Sequence, residues 1–391
     1  MQIEKVYIGG WFQRTTLHLS EIYDFLQNVR SPLDLEEGEL RRLHRTLGIA
    51  GISLEVGRLE KIKMASRGGL HVNIFEDGLI VLSKKPGQAL GGDIRQLTSY
   101  YETKLSPAFS YIFSLGAPVP KELANIKNIY PYFVVVKDTN PAEIKRPLDR
   151  FEEKEHFVIE QETFSIYRGD KLYIIENKGE NLPDIEKFIQ EQIFMREFKG
   201  QLHRYLNLHR IIWEKIADVK EKGKVSGKNI GELFSRTESY AKTINLIDAR
   251  INQMSTYAKT REAIIKNDPT LKHFEAVLLY KHETLLDTLA YVKEIWRMTS
   301  NYVQSALSLF GSIQSQSTEA SVTNLAIITS MGVGATLIGL FSESAPEFTP
   351  FGVLYFFILA FVGYSANKIM ARIARNREYG IEDVEIAKDI G

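Results

Sequence analysis

Short runs of alternating apolar and polar residues, separated by turn residues, fill the first 180 positions of the chain. Alternation of this kind is typical of strands that bury one face. Stretches with apolar residues every three or four positions lie between these runs and predict helices, as in SEIYDFLQNV. The tripeptide RGD around Gly169 separates two apolar runs and predicts a hairpin turn. We expect strands in the segments IEKVYIGG, GISLEVG, LHVNIFEDGLIVLS, YPYFVVVKD and EHFVIEQETFSIYRGDKLYIIENK.

The middle of the chain changes to long helical periodicity. One helix is predicted to run to about Lys222, where KGKVSGKN breaks it, and a second from about Ile230 to Lys266. The segment NDPT then supplies a cap and a proline for a third helix, and no proline follows Pro269 until Pro346. The third helix is therefore expected to continue for about 70 residues, roughly 100 Å at 1.5 Å per residue. A stripe of apolar residues predicts its packing face: Leu278, Leu285, Leu289, Val292, Trp296, Val303 and Leu307.

Two runs without any charged residue lie near the C-terminal end, at 322–341 and 351–367. About 20 residues of helix rise about 30 Å, which is the thickness of the hydrocarbon core of a bilayer. The second run reaches this length if the amine of Lys368 extends to the interface. These runs predict two transmembrane helices, at about 322–341 and 351–370. The alternative is a hairpin of helices buried in a protein core.

The flanks of these runs predict a topology. Basic residues follow the second run, and basic residues beside a span mark the cytoplasmic side. The connecting loop carries Glu343 and Glu347 but no Lys or Arg, and the N-terminal segment lacks the layout of a signal peptide. We expect a multi-pass protein of the cell inner or plasma membrane with both termini in the cytoplasm. The basic cluster consists of Lys368, Arg372, Arg375 and Arg377.

Together these patterns predict an α+β membrane protein with four segments. Residues 1–180 form a cytoplasmic α/β domain, and residues 181–320 form a long helical stalk or bundle. Residues 321–370 form the C-terminal two-helix transmembrane hairpin. Residues 371–391 form a cytoplasmic tail that is first basic and then acidic.

Composition narrows the possible chemistry. The 391 residues have a formal net charge of zero, which gives no support for a nucleic-acid partner. The chain has no cysteine, so disulfides, thiolate metal sites and cysteine nucleophiles are excluded. The histidines are scattered, and no spacing marks a zinc pair, a catalytic acid–base pair or a triad. We therefore expect a protein that is not an enzyme, with no cofactor that follows from the residues themselves.

The layout of an α/β domain, a helical stalk and a C-terminal hairpin resembles the CorA family of divalent-cation channels. The best local match is SVTNLAIITSMGVGATLIGLFSES, and the similarity extends more loosely over about residues 185–377. This resemblance implies a homopentamer with a pore lined by the first membrane helix, and a divalent cation such as Mg²⁺. The family's Gly-Met-Asn motif is absent, and the register places Ser342, Glu343 and Ser344 at its positions. Selectivity is expected to differ accordingly.

One face of the first predicted span has mostly small or polar residues at steps of three or four. In a pentamer these positions are expected to line the pore. The alternative is that small residues let neighbouring helices approach closely. The positions are Ser321, Asn324, Ile328, Gly332, Ala335, Gly339 and Ser342.

The residues flanking the spans are the remaining site candidates. Ser342, Glu343, Ser344 and Glu347 are expected to form the pore mouth, where a ring of carboxylates concentrates cations. The alternative is that Glu343 only fixes the topology by remaining in water. The basic cluster is expected either to bind anionic lipid headgroups or to form a collar that helps to set the closed state.

Two functions follow. The first is a CorA-like oligomeric cation channel or transporter that is gated by its cytoplasmic domain. The alternative is a non-conducting, membrane-anchored signalling or defence effector, or a scaffold, that binds a ligand or partner through its N-terminal domain. The expected partners are further copies of the chain, membrane lipids, cations and a small nucleotide-type second messenger.

Overall fold

The computed structural model describes residues 2–11, 18–112, 132–137, 139–140, 143–144, 147–148, 151–179, 182–221, 224–340, 350–376 and 378–380. The chain divides into two compact units, each built from separate stretches of sequence. The first contains Met1–Leu206 and Leu246–Glu294, and the second contains Asn207–Asn245 and Ile295–Gly391. The domain boundaries predicted at 180 and 320 stay a prediction.

A nine-stranded mixed sheet forms the centre of the first unit, in the order β2-β3-β4-β5-β1-β6-β9-β8-β7. Strands β6 and β9 are parallel, and the other neighbouring strands are antiparallel. The strands are β1 (Gln2–Trp11), β2 (Ile49–Glu55), β3 (Lys61–Ser66), β4 (Leu70–Phe75), β5 (Leu79–Lys84), β6 (Tyr132–Lys137), β7 (Phe157–Glu160), β8 (Phe164–Arg168) and β9 (Leu172–Asn177).

Short helices pack on one face of the sheet. Their apolar residues form a continuous core with inward-facing strand residues such as Val6, Ile8, Val134 and Val136. This burial follows from the alternation of each strand, since every second side chain points to the same face. The helical elements are α1 (Leu19–Asn28), α2 (Glu37–Leu47), α3 (Leu90–Tyr100), a π-helical turn (Tyr101–Leu105) and α4 (Ser106–Ile112).

The part of the first long helix that belongs to the first unit packs on the opposite face of the sheet. The Trp11 ring contacts the rings of Phe194 and Phe198, with centroid separations of 5.8 and 5.4 Å. Gly9 permits this close packing, because a Cβ atom there would lie 3.0 Å from Ile193 Cδ1 and 2.7 Å from the Ile80 carbonyl oxygen. The long helical elements are α5 (Leu182–Glu221), α6 (Gly227–Asn267), a 3-10 turn (Pro269–Phe274) and α7 (Glu275–Leu340), and the three helices continue into the second unit.

A buried ion cluster joins the sheet to helices α5 and α6 within the first unit. Arg261 Nε donates to Asp77 Oδ2 at 2.6 Å, and Arg261 Nη1 donates to Glu191 Oε1 at 2.6 Å. The guanidinium also stacks 4.5 Å from the ring centroid of Phe194. Trp11 Nε1 donates to the Asp77 carbonyl oxygen at 2.7 Å, which fixes the β4–β5 turn. We call Asp77, Glu191 and Arg261 the buried cluster.

The second unit consists mainly of helices. It contains the remaining parts of α5, α6 and α7, together with α8 (Pro350–Asn376). His209 lies 2.6 Å from Thr299 Oγ1 through its Nε2 atom and stacks on Trp213. A short antiparallel pair also forms between β10 (Lys224–Ser226) and β11 (Glu378–Gly380). Ile230 and Ile313 form a small apolar core.

Several sequence predictions are confirmed. The predicted strands occur, the RGD segment forms the turn between β8 and β9, and α5 and α6 are separate helices, although α6 already begins at Gly227 within KGKVSGKN. The third long helix is continuous over 66 residues. Its predicted packing stripe is buried at each position except the half-buried Leu307. Strand β3 and helix α2 were not predicted.

The predicted transmembrane hairpin is not found. No helix in the described part of the chain combines the length and apolar character needed to cross a membrane. A span requires about 20 consecutive, predominantly apolar residues. The prediction rested on the length of two runs without charged side chains, and such runs do not by themselves have the mean hydropathy of a span. The membrane part of the predicted fold class and the multi-pass localisation are therefore wrong, and the expectation of a membrane channel conflicts with the same finding.

Candidate functional site

A polar cavity of about 440 Å³ opens on the sheet of the first unit. It lies on the face from which Lys5 and Trp11 project, at the side of the sheet formed by β2, β3 and β4. We call it the sheet pocket. Its polar lining consists of Lys5, Ser53, Lys63, His71, Asn73 and Glu186.

Strand register brings three of these side chains into one row. Ser53 on β2 is paired with Lys63 on β3, and Lys63 is paired with Asn73 on β4. Side chains directly opposite each other on neighbouring strands have Cβ atoms about 4.5–5.5 Å apart. Their neighbours Ile62 and Met64 on β3 are buried in the helical core, because successive residues point to opposite faces. The alternation that buries the core thus directs the polar row outward.

Helix α5 supplies the acidic member of the pocket. Lys5 Nζ donates to Glu186 Oε2 at 3.2 Å, and both side chains are largely shielded from solvent, with 18% and 26% exposure. Burial raises the pKa of the neighbouring Tyr7 hydroxyl above its ordinary value, and the charges of Glu186 and Glu4 raise it further. The Tyr7 hydroxyl therefore remains neutral at physiological pH.

The second lysine of the pocket also has an acidic neighbour. Lys63 and Lys61 both pair with the carboxylate of Glu55, which is about half exposed. A hydrogen bond from Lys63 is the main cause that lowers the pKa of Glu55 below its usual value. Exposed pairs of this kind are weak, because water screens the charges. The Lys63 amine is therefore free to exchange Glu55 for a ligand anion at little cost.

The lining of the sheet pocket supplies several donors to one cavity. Two ammonium groups, an amide and a hydroxyl surround a cavity that lies within the usual range for small-molecule sites, about 300–1,000 Å³. The described part of the chain contains no group of three or more His, Asp or Glu residues that could hold a metal ion. The divalent cation implied by the family resemblance stays a prediction.

The site residues predicted from sequence lie elsewhere. The predicted pore face runs along α7, where Gly332 is exposed. The side chains of Ser321, Asn324, Ile328 and Ala335 and the surroundings of Gly339 lie outside the described residues, as do the whole residues Ser342, Glu343, Ser344 and Glu347.

The basic cluster lies mostly on α8. Lys368 and Arg372 are exposed there, and Lys368 Nζ lies 5.8 Å from the ring centroid of Tyr364. The Arg375 side chain and all of Arg377 lie outside the described residues. The roles predicted for the pore-lining face, the pore mouth and the basic cluster stay predictions.

Sequence reasoning missed the sheet pocket. The segments KIKMAS and LHVNIF each place polar residues at alternate positions, and this was the available signal. A strand was not predicted for KIKMAS, so Lys63 had no neighbours to suggest a site. Glu186 is 181 residues from Lys5, and periodicity alone cannot reveal such a contact.

Comparison with known proteins adds no family assignment. No protein-family model matches the chain, and no curated protein matches it. The likeness to the CorA family therefore remains a resemblance of layout.

Proposed function

We propose that the chain is a non-enzymatic effector whose first unit binds a small anionic ligand, of nucleotide type and size, in the sheet pocket. The observation that carries this proposal is the convergence of Lys5 and Lys63 on one cavity, together with the Ser53–Lys63–Asn73 row. Phosphate or carboxylate oxygens would accept from the two amines. The amide of Asn73 and the hydroxyl of Ser53 would bind polar groups elsewhere on the ligand.

The Lys5–Glu186 ion pair would couple ligand binding to a change in the contact between β1 and α5. An anion that binds Lys5 competes with Glu186, which lies in the first turns of α5. Displacement of Glu186 would alter the contact between β1 and the start of this 40-residue helix. A ligand changes a conformational equilibrium only through a difference in affinity between two states, and the exchange of Glu186 for ligand supplies such a difference.

Self-association belongs to the same proposal. The family resemblance implies a homopentamer, and an effector of this kind would transmit ligand binding through its helical part. Mass measurement of the purified chain, with and without ligand, tests this part separately. A stable monomer in both conditions would contradict it and would leave ligand binding intact.

Calorimetric titration of the full chain tests the site. The titrants are inorganic phosphate, AMP, ADP, cyclic AMP and cyclic di-AMP. We expect Lys5→Gln and Lys63→Gln each to weaken binding about tenfold, which corresponds to about 1.4 kcal/mol. Glu186→Gln is expected to strengthen binding, because it removes the carboxylate that competes for Lys5. The exposed Lys199 on α5 provides the matched control, Lys199→Gln.

The opposite signs of these effects make the test specific. A general loss of positive charge would weaken binding equally in the pocket variants and in the control. The proposal fails if no titrant binds more tightly than about 1 mM, or about −4 kcal/mol. It also fails if Glu186→Gln weakens binding as the lysine variants do.

A further inference from the structure

A second cavity, of about 250 Å³, lies at the turn between β3 and β4. The turn, the end of α2 and the junction of α3 with the π-helical turn surround it. We call it the turn pocket. The side chains that carry the argument are Arg67, Gln96, Ser99, Tyr100 and Lys104.

The backbone around the turn pocket is fixed by hydrogen bonds. The Arg67 amide donates to the Gly48 carbonyl oxygen at 2.8 Å, which ties the turn to the end of α2. Within the turn, the Gly69 amide donates to the Ser66 carbonyl oxygen at 3.0 Å, and the Leu70 amide donates to Ser66 Oγ at 3.1 Å. Arg67 therefore projects from a rigid base.

The π-helical turn positions the second cation. Segments of π-helix are rare and frequently occur at functional sites, because the added residue changes the direction of the side chains. Lys104 lies within this turn, and its Nζ atom is 5.5 Å from the ring centroid of Tyr100. The Tyr100 hydroxyl donates to the Leu47 carbonyl oxygen at 2.8 Å, which holds the ring in place. The ring thus supports the Lys104 amine at the edge of the pocket.

The charges of the turn pocket are of one sign. Arg67 and Lys104 contribute two positive charges, and none of the described lining residues is acidic. The sheet pocket differs in this respect, because Glu186 lies among its lining residues. Gln96 and Ser99 add neutral donors beside the two cations. Such a set of donors matches a compact anion with several oxygens, and a guanidinium can bind phosphate through two parallel hydrogen bonds.

We propose that the turn pocket is a second binding site, separate from the sheet pocket, for a small phosphate-bearing anion. Arg67 and Lys104 bind its charged oxygens, and Gln96 and Ser99 donate to those that remain. The volume of the pocket admits one or two phosphate groups with a small substituent, which distinguishes its ligand from that of the larger sheet pocket.

Titration of the full chain with inorganic pyrophosphate tests this site, with binding measured by calorimetry. We expect saturable binding that Arg67→Gln and Lys104→Gln each weaken at least tenfold. Arg67→Lys should be intermediate, because it keeps the charge but loses the planar fork. Arg95→Gln changes an exposed arginine of α3 outside the pocket lining, and it should leave this binding unchanged. Circular dichroism confirms that each variant is folded.

The sheet-pocket variant Lys63→Gln separates this inference from the proposed function. Pyrophosphate binding that survives Lys63→Gln but not Arg67→Gln supports an independent turn site. Pyrophosphate binding that Lys63→Gln abolishes, and that Arg67→Gln and Lys104→Gln leave intact, would assign the anion to the sheet pocket and overturn the inference. Equal weakening by Arg95→Gln would show non-specific attraction to positive charge and would also overturn it, as would the absence of binding to the unaltered chain.

Discussion

Replacement of Arg261 by methionine should strongly destabilise the first unit. The side chain is 1% exposed, and it binds Asp77 and Glu191, which are 0% and 6% exposed. Methionine is of similar length and apolar, so it fills much of the space but leaves two carboxylates without their cation. Removal of one partner of a buried ion pair costs about 3–5 kcal/mol, because the remaining charge stays desolvated. This is a large fraction of the total stability of a domain, about 5–15 kcal/mol.

The pH dependence of this loss identifies its cause. Burial raises the pKa of the Glu191 carboxyl, Arg261 opposes the rise, and Asp77 adds to it. Since the folded pKa of Glu191 exceeds its unfolded value, the folded state binds this proton more strongly, and stability falls as pH rises between the two values. Without Arg261 the pKa of Glu191 in the folded state rises further. The pH range over which stability falls therefore becomes wider. The destabilisation by Arg261→Met should therefore be smaller at acidic pH than at pH 8.

Urea unfolding followed by circular dichroism measures the effect at both pH values. Lys259→Met, on the same helix at an exposed position, is the control and should change stability by less than about 0.5 kcal/mol. Adding Asp77→Asn and Glu191→Gln to Arg261→Met should restore much of the lost stability, because no buried charge remains. A loss below about 1 kcal/mol for Arg261→Met, or a loss independent of pH, would refute the reasoning.

Two further substitutions test a buried hydrogen bond and a backbone conformation that favours glycine. Thr299 Oγ1 donates to the Ile295 carbonyl oxygen, so it accepts a hydrogen bond from His209 Nε2. Thr299→Val removes this acceptor and should lower the free energy of unfolding, measured by thermal unfolding, by about 1–3 kcal/mol. Because burial lowers the pKa of His209, its contribution to stability should decline as pH falls below its unfolded pKa, and a flat pH profile would contradict this. Gly69 has φ +73°, a conformation that an alanine adopts at a cost, so Gly69→Ala should lower the free energy of unfolding by about 1–2 kcal/mol. Gly51 lies at an exposed strand position, and Gly51→Ala is the control that should cost less.

Local patterns in the sequence were sufficient for much of the secondary structure. Apolar runs bounded by turn residues predicted β1, β4 and β5, and the segment KGKVSGKN predicted the break between α5 and α6. The 66-residue length of α7 followed from the absence of proline. These features depend on neighbours within a few residues, and for that reason sequence alone could predict them.

Long-range features were not predictable in the same way. In the nine-stranded sheet, β1 lies between β5 and β6, and β6 pairs in parallel with β9. No local pattern in the sequence encodes this order of strands. Arg261 and Asp77 are 184 residues apart, so the buried cluster was hidden among the many charged residues of a helical segment. The transmembrane hairpin was predicted from the length of two uncharged runs and from their flanking charges, and the helices in the described part of the chain do not reach the apolar character of a span.

Hydrogen exchange of the full chain, with and without a saturating nucleotide-type anion, tests ligand binding in the sheet pocket most directly. The account predicts slower exchange in β3, β4 and the first turns of α5, which contain Lys63, Asn73 and Glu186. It also predicts that this protection disappears in the Lys5→Gln/Lys63→Gln double variant. Protection confined to other segments, or unchanged protection in the double variant, would contradict the central claim.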